Sequence, residues 1–200
     1  MLAYQSYLKG NRVVGITFKE KEVQGCKDLF NTYLGIPEER LRFRQGNLYE
    51  LDFPPETFDE IICSEVLEHL QRDTVVCKTF QRLLKPEGIL HVCAPNAEHP
   101  YNAAFPLDEQ EKGGHVRAGY TLDGYRNLLE PLGFKIVKSA GLGGPIRQAF
   151  NWRIKEIQAK YGTITGLPLF VIFFLLLPLE RRWSESNSPF SIYVKAVNKG

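Results

Sequence analysis

The sequence predicts an α/β fold in which a mainly parallel sheet carries helices on both faces. Short β-branched runs alternate along the chain with segments whose apolar residues recur at helical spacing. Strand and helix in alternation are typical of βαβ units. The 200 residues, of which 44% are hydrophobic and 24% charged, are enough to bury one core.

The first half of the chain has the more regular pattern. Residues 1–10 place Tyr4, Tyr7 and Leu8 on one helical face, and Gly10 can end that helix. Turn residues such as Gly46-Asn47 then separate the elements. The predicted strands of this half are 12–16, 41–45, 60–63 and 89–94, and its other predicted helices are 21–34, 65–70 and 74–84.

The second half is less regular. Residues 95–119 form a long loop rich in Pro, Gly, Asn and His, and loops of this length in compact domains are usually functional. Thr121 can cap a helix to about residue 132, and residues 134–138 and 191–198 read as strands. We therefore divide the chain into a core, a helical and apolar insertion, and a last core strand: 1–138, 139–190 and 191–200.

Charge and cysteine content narrow the class of protein. A net charge of +2 gives little support to a nucleic-acid partner. The four cysteines form no C-x-x-C pair, which argues against a zinc knuckle or a disulfide framework. The first ten residues lack the apolar stretch of a signal peptide, so we expect a cytoplasmic protein with reduced thiols. The sequence does not indicate an oligomeric state.

Ligands of open parallel sheets lie at the carboxyl ends of the strands. Residues just after the predicted strands are therefore the candidates for a binding site. They are Gly15, Thr17 and Phe18 after the first strand, Asn47 and Leu48 after the second, and Cys63, Ser64 and Glu65 at the third.

Two linked motifs resemble a known family. Residues 58–70 read F-D-E-I-I-C-S-E-V-L-E-H-L, and residues 83–90 read L-L-K-P-E-G-I-L. Together they are similar to the type 11 class I methyltransferases, which use S-adenosylmethionine and have a Rossmann-like sheet. Glu87 stands where those proteins usually have the first of two glycines. The likeness covers residues 12–96 well and the rest loosely.

The resemblance implies a set of cofactor residues. In a variant of the family a threonine after the second family strand, with a glutamine five residues later, holds the ribose; Thr17 and Glu22 occupy these places. Asn47 would accept a hydrogen bond from the adenine amino group, and Leu48 would contact the ring. Gly15 and Phe18 belong to the same turn, and Cys63 and Ser64 would border the methionine end. Side chains that merely end strands are the alternative reading.

The family's first strand and glycine-rich loop are missing from the sequence. A nucleotide-binding βαβ unit needs about 30 residues before its second strand ends, whereas 11 residues precede Arg12 and contain no G-x-G. In the family fold that strand lies between the strands predicted at 12–16 and 60–63. We therefore expect weak cofactor binding and poor stability for these 200 residues, with a truncated gene as the simplest cause.

The acceptor site is predicted in the long loop. Methyl transfer to oxygen benefits from a base near the methyl group, and His69, His91 and His115 are the candidates. His91 lies inside a predicted strand, which favours a structural role. We predict that His115, Arg117 and Tyr120 recognise the acceptor; a solvated loop is the competing interpretation.

A metal site is a further hypothesis. On the helix predicted at 65–70, Glu65, Glu68 and His69 would share one face. Their arrangement resembles the Mg²⁺ motif of ubiquinone-pathway and small-RNA O-methyltransferases, and His115 would match the downstream histidine of the RNA enzymes. Many relatives carry the same letters without a metal.

The insertion suggests an apolar acceptor. Residues 147–161 form a basic amphipathic pattern, and 167–179 are apolar apart from two prolines. The apolar stretch is too short for a transmembrane helix, which takes about 20 residues. Residues 147–183 could instead lie at a membrane surface or cap the acceptor pocket. We predict O-methylation of a small, lipid-linked saccharide or isoprenoid-like acceptor. The alternative is a non-catalytic methyltransferase fragment that acts as a binding module.

Overall fold

The computed structural model describes residues 2–144, 153–154, 156–162 and 189–200. The chain forms two compact units, Met1–Phe53 and Pro54–Gly200. This division falls inside the core predicted at 1–138. It follows the strand ladders, because the described strands form a two-stranded sheet in the first unit and a four-stranded sheet in the second.

The first unit is a two-stranded parallel sheet with helices. Its elements are α1 (Leu2–Leu8), β1 (Val13–Thr17), α2 (Glu20–Cys26), which continues into a π-helical segment (Lys27–Tyr33), and β2 (Leu41–Gln45). The two strands are in register, with Thr17 opposite Gln45. Because both strands run the same way, the loops that follow them begin at the same end of the sheet.

Packing inside the first unit explains why β1 has a glycine at position 15. The core is built on Val23, Ile36, Leu41 and Phe43. A Cβ at Gly15 would lie 2.6 Å from the Phe43 ring, far inside van der Waals contact. Gly15 therefore has a packing role in β1, which accounts for the residue without any ligand.

The second unit is built on a mixed sheet in the order β3-β4-β6-β5. Its elements are β3 (Phe58–Ser64), α3 (Asp73–Leu83), β4 (Leu84–Pro95), α4 (Pro100–Ala103), α5 (Leu122–Leu129), β5 (Phe134–Leu142) and β6 (Ser191–Asn198). β3 and β4 are parallel, whereas β6 is antiparallel to both β4 and β5. The alternating pattern thus predicted the parallel pair, and the sheet is completed by antiparallel strands.

The core of the second unit lies between β4 and helices α3 and α5. Leu90, Val92 and Ala94 alternate inward along β4 and are fully or almost fully buried, as are Val76 of α3 and Leu129 of α5. Thr121 caps α5 as predicted, since its hydroxyl accepts from the Gly124 N–H at 2.9 Å. The helix predicted to about residue 132 ends in a 3₁₀ turn, Glu130–Leu132.

The helix predicted at 65–70 does not form. Glu65 has a φ of 55°, in the left-handed region, and only Leu67–His69 makes a 3₁₀ turn. The Glu65 N–H donates to the Cys93 carbonyl at 2.8 Å, which holds the residue at the end of β3 instead of starting a helix. The prediction that Glu65, Glu68 and His69 share a helical face is therefore wrong.

Most of the predicted insertion lies outside the described residues. That part includes the apolar stretch 167–179 and much of the basic segment 147–161; residues 156–161 are described and helical. Among the described residues, no helix combines the length and the apolar character that crossing a bilayer requires.

Gly119 provides a test of how the long loop is anchored. It has a φ of 123°, and a Cβ there would lie 1.9 Å from the Pro95 carbonyl oxygen. We expect Gly119→Ala to lower the free energy of unfolding by more than about 2 kcal/mol, because strain and a backbone clash add together. Urea unfolding followed by circular dichroism measures the loss.

Gly113→Ala is the matched control for this variant. Gly113 also has a positive φ, 106°, but a Cβ there would meet no atom within 4 Å. This control should lose only the cost of the strained backbone. Equal losses in the two variants would show that the contact with Pro95 does not hold the loop.

Candidate active site

The carboxyl end of the first sheet brings Thr17 and Glu22 together. The Thr17 hydroxyl donates to the Glu22 carboxylate at 2.5 Å, and this hydrogen bond holds the Glu22 pKa below its usual value. Lys19 pairs with the same carboxylate at 3.4 Å. An exposed, ionised carboxylate fixed beside a hydroxyl can accept hydrogen bonds from a vicinal diol. This geometry fits the predicted contact with a ribose.

Asn47 lies at the same end of the first sheet. The Gly46 N–H donates to the Thr17 carbonyl at 3.0 Å, which ties the loop after β2 to the loop after β1. The Asn47 side chain accepts from the Tyr49 N–H at 3.1 Å and so caps the short turn Leu48–Glu50. Its oxygen retains a second lone pair, as the predicted adenine contact requires. Asn47 and Phe18 are exposed, and Leu48 is half-buried.

Cys63 and Ser64 lie at the carboxyl end of β3, in the second unit. Cys63 is buried, and burial raises the pKa of its thiol to about 12. Ser64 is half-buried, pairs with Cys93 across the ladder and makes a side-chain hydrogen bond to its sulfur. Neither group is ionised near neutral pH, so both can only contribute uncharged contacts.

The Glu65 carboxyl group accepts hydrogen bonds from residues of β4 and β6. It accepts from the Cys93 thiol at 3.6 Å and from the Ser191 side chain, and burial raises its pKa. Glu65 is not part of the one group of three possible metal ligands found among the described residues. The predicted metal set therefore loses Glu65, because the left-handed turn sends that residue towards Cys93.

Glu68 is the most unusual residue of the second unit. It is 0% exposed, and neither carboxylate oxygen has a hydrogen-bond partner among the described residues. Burial, with a smaller contribution from the neighbouring Glu65, raises its pKa to about 7. A buried carboxyl group without partners is costly, which makes it a strong indication of a proton or a cation at this position.

His69 and His115 stand beside Glu68. Atoms of the three side chains lie within 4.8 Å of one another. His69 Nδ1 is 2.9 Å from the Gly114 carbonyl oxygen. Because a carbonyl can only accept, Nδ1 carries the proton, and in the neutral ring the lone pair of Nε2 lies on the side of Glu68, 3.8 Å away. Burial and the neighbouring His69 lower the pKa of His115. We call these three residues the Glu-His-His cluster.

The side chains of Arg117 and Tyr120 both bind Asp73. The Arg117 guanidinium forms an ion pair with Asp73 and donates to the Leu70 carbonyl at 2.6 Å. The Tyr120 hydroxyl donates to Asp73 at 2.5 Å, and burial raises its pKa. Both side chains thus fasten the long loop to the start of α3. Of the three residues predicted to recognise the acceptor, only His115 presents its group at the cluster.

One candidate base, His91, lies elsewhere. His91, inside β4 as predicted, bridges Glu60 at 2.9 Å and the Tyr193 hydroxyl at 2.6 Å, and burial lowers its pKa. A cavity of about 240 Å³ holds none of the predicted site residues. It is lined by Pro55, Glu56, Gln81, Arg82, Leu84, Pro86, Asn198 and Gly200.

Comparisons with known proteins identify the domain. A methyltransferase-domain family model matches residues 2–92. That segment contains the strand ends described above and the Glu68-His69 pair.

This part of the chain is similar to a methyltransferase domain.

The relatives are distant. An uncharacterized methyltransferase of Schizosaccharomyces pombe is 26% identical over 110 residues, 54% of this chain and 39% of that protein. The 27-O-demethylrifamycin SV methyltransferase of Amycolatopsis mediterranei is 29% identical over 126 residues, 62% of this chain and 45% of that protein. The chain thus spans less than half the length of these two relatives.

Solved structures confirm the fold class. The phosphoethanolamine N-methyltransferase 2 of Haemonchus contortus, solved in complex with S-adenosylmethionine, superposes with a TM-score of 0.68 at 14% identity. The match covers 99% of this chain and 46% of that one. The methyltransferase domain therefore has the class I Rossmann-like fold that the motifs predicted.

Asp73 is the site residue that the sequence did not reveal. It is 8% exposed and joins Arg117 and Tyr120, which lie more than forty positions further along the chain. The sequence signal was weak, since Asp73 simply begins a helix. Its contacts show that the end of the long loop is held by a buried acidic side chain.

The Asp73–Arg117 pair can be tested through stability. We expect Arg117→Ala to lower the free energy of unfolding by about 2–4 kcal/mol, because it leaves a buried carboxylate with one partner fewer. Arg126→Ala is the matched control, since Arg126 makes an exposed pair with Asp123 at 2.7 Å. This control should lose less than about 0.5 kcal/mol. Equal losses in urea unfolding would contradict a structural role for the buried pair.

Proposed function

We propose that the protein transfers a methyl group from S-adenosylmethionine to a hydroxyl group of a small acceptor. The Glu-His-His cluster is the observation that carries this proposal, because it places a nitrogen base beside the end of β3 in a methyltransferase domain. Thr17 and Glu22 support the choice of donor, since their hydrogen-bonded side chains suit the ribose hydroxyls.

The chemistry is an in-line displacement. The acceptor oxygen forms a bond to the methyl carbon while the bond from that carbon to the sulfonium sulfur breaks. The electron pair of the broken bond stays on sulfur, which gives S-adenosylhomocysteine. His115 is our candidate for the group that accepts the hydroxyl proton, because burial and His69 keep its imidazole neutral. Orientation of the two reactants supplies most of the rate enhancement in such reactions.

The acceptor class rests on the sequence. We propose a small acceptor of apolar character, such as a lipid-linked saccharide or an isoprenoid-like molecule, because an apolar and basic segment follows the core. The same segment supports peripheral membrane contact through residues 147–183 of a cytoplasmic enzyme. A net charge of +2 supports a small molecule over a nucleic acid.

Removing the Glu22 charge should weaken nucleoside binding. We expect Glu22→Gln to raise the dissociation constant of S-adenosylhomocysteine at least about 10-fold, because charge-assisted hydrogen bonds to the ribose are lost. Glu20→Gln is the matched control, since it removes an equal charge from the first turn of the same helix. NMR titration of the full chain up to millimolar ligand measures both constants.

Two outcomes would contradict the proposal. Equal effects of the two substitutions would show that Glu22 does not contact the ribose. Absence of any S-adenosylhomocysteine binding would instead favour the second function, a non-catalytic binding module built on a methyltransferase fold.

Binding of a divalent cation is a second function that we propose for the Glu-His-His cluster. The unpartnered Glu68 oxygens and the His69 ring fixed by the Gly114 carbonyl suit a metal ligand set. One carboxylate with two imidazoles favours Zn²⁺, Mn²⁺ or Fe²⁺, whereas Mg²⁺ prefers oxygen ligands. We therefore propose Glu68, His69 and His115 as the ligands in place of the predicted set with Glu65. When bound, such an ion would lower the pKa of an acceptor hydroxyl.

Metal binding to the full chain tests this use. We expect about one equivalent of Zn²⁺ or Mn²⁺ after equilibrium dialysis, and a loss of more than about 10-fold in affinity in Glu68→Gln and His115→Gln. His99→Gln is the control, because His99 is a loop histidine outside the cluster. Unchanged affinity in the cluster variants would refute the site, and full methyl transfer in chelator would exclude a catalytic role for the ion.

A further inference from the structure

A continuous row of rings leads away from the Glu-His-His cluster. The His115 ring lies 4.9 Å from Phe105, and Phe105 lies 6.4 Å from Tyr101. Tyr101 in turn lies 6.0 Å from Phe190, and Phe190 lies 5.4 Å from His99. We call these five residues the aromatic row. It begins at the proposed base and ends at His99, and its fourth member, Phe190, lies immediately before β6.

The rings of the row are open to solvent in the middle. Tyr101 is 56% exposed and Phe105 is 38% exposed, although both contact other aromatic side chains. Leu107 on the same loop is 51% exposed. Apolar side chains gathered in one place and left uncovered are typical of a binding surface, whereas single exposed apolar residues need no explanation.

The row is held by buried polar contacts. Asn102 is 4% exposed, and its amide donates to the Asn96 carbonyl at 2.9 Å and to the Phe190 carbonyl at 2.8 Å. His99 accepts from the Tyr101 N–H at 3.3 Å. These hydrogen bonds fix the backbone that carries Tyr101 and Phe190, so the exposed rings stand on an ordered support.

The acidic residues on the loop that carries the row favour an uncharged ligand over an anionic one. Residues 97–116 contain four carboxylates, Glu98, Asp108, Glu109 and Glu111, but Lys112 is their single lysine or arginine. Arg117, the next cation along the chain, is engaged by Asp73. An anionic ligand such as a phosphate or carboxylate would meet several acids here, and like charges repel. An uncharged ligand avoids this repulsion.

We propose that the aromatic row binds the acceptor, and that the acceptor is an uncharged molecule with a flat, conjugated ring that bears the methylated hydroxyl group. The ring lies against Tyr101 and Phe105, and its hydroxyl group points along the row to His115. Flat rings gain more than saturated rings from offset or edge-to-face contact with aromatic side chains. Of the acceptors proposed above, the aromatic row therefore favours an isoprenoid-like molecule with a flat ring over a saccharide. The role of the hydroxyl group rests on the proposed function, whereas ring binding does not.

The test uses 2-naphthol as the probe, with the full chain and no methyl donor present. We expect Phe105→Ala and Tyr101→Ala each to raise the 2-naphthol dissociation constant about 3- to 10-fold, as the loss of one aromatic contact predicts. Tyr33→Ala is the matched control, because Tyr33 is an aromatic residue that is 81% exposed and lies in the other unit. It should leave 2-naphthol binding unchanged.

Two further measurements separate loss of the aromatic ring from poor folding of a variant, and ring binding from unspecific binding. Phe105→Leu keeps an apolar side chain but no ring, and it should weaken binding nearly as much as Phe105→Ala even if the smaller variant folds poorly. The anion 6-hydroxy-2-naphthoate and the saturated sugar methyl glucoside should both bind at least about 5-fold more weakly than 2-naphthol.

Several results would overturn the inference. They are unchanged 2-naphthol binding in the Phe105 variants, equal binding of the anion, or tighter binding of methyl glucoside. Addition of S-adenosylmethionine then separates the two proposals. Row-dependent binding of 2-naphthol without methylation would uphold the aromatic row and count against the proposed methyl transfer.

Discussion

The candidate site of the second unit depends on the backbone at the carboxyl end of β4. Three carbonyl groups there accept hydrogen bonds from three separate parts of the site. Cys93 accepts from the Glu65 N–H, Pro95 from the Tyr120 N–H, and Asn96 from the Asn102 amide. Cys93 is fixed by ladders with both β3 and β6, and Pro95 by the ladder with β6. Asn96 follows directly, and its N–H donates to the Phe190 carbonyl at 2.7 Å. A rigid strand end thereby places a strained turn, the long loop and the aromatic row.

The site contains two residues in energetically unfavourable states, which the rigid end of β4 helps to maintain. Glu65 adopts a left-handed conformation, and Glu68 is buried without hydrogen-bond partners among the described residues. Such features cost free energy and are usual at functional positions. Asp73 holds the end of the long loop beside these residues. It forms an ion pair with Arg117 and accepts a hydrogen bond from the buried hydroxyl of Tyr120. Stability from these contacts offsets the strain at the cluster.

Sequence reasoning located elements whose causes are local. β2 and β6 were predicted within their observed bounds, and the cap at Thr121 was predicted from one residue. The helix at 65–70 was predicted wrongly, because its residues suit a helix and only the distant Cys93 carbonyl draws Glu65 into a turn. The roles of Arg117 and Tyr120 depend on Asp73, a partner remote in sequence. The aromatic row was missed because its members are scattered over α4, the segments around it and the residue before β6.

The position of Phe190 immediately before β6 has a consequence for how this fold can diversify. β6 is hydrogen-bonded on both sides, so a one-residue shift would turn its inward side chains outwards and disrupt the core. Replacements near that residue are therefore constrained by folding. Tyr101 in α4 and Phe105 just after that helix, by contrast, are exposed and lie outside the described strands. New ligand preferences can arise there by single substitutions while the sheet stays intact, so the middle of the aromatic row is free to vary whereas Phe190 is fixed.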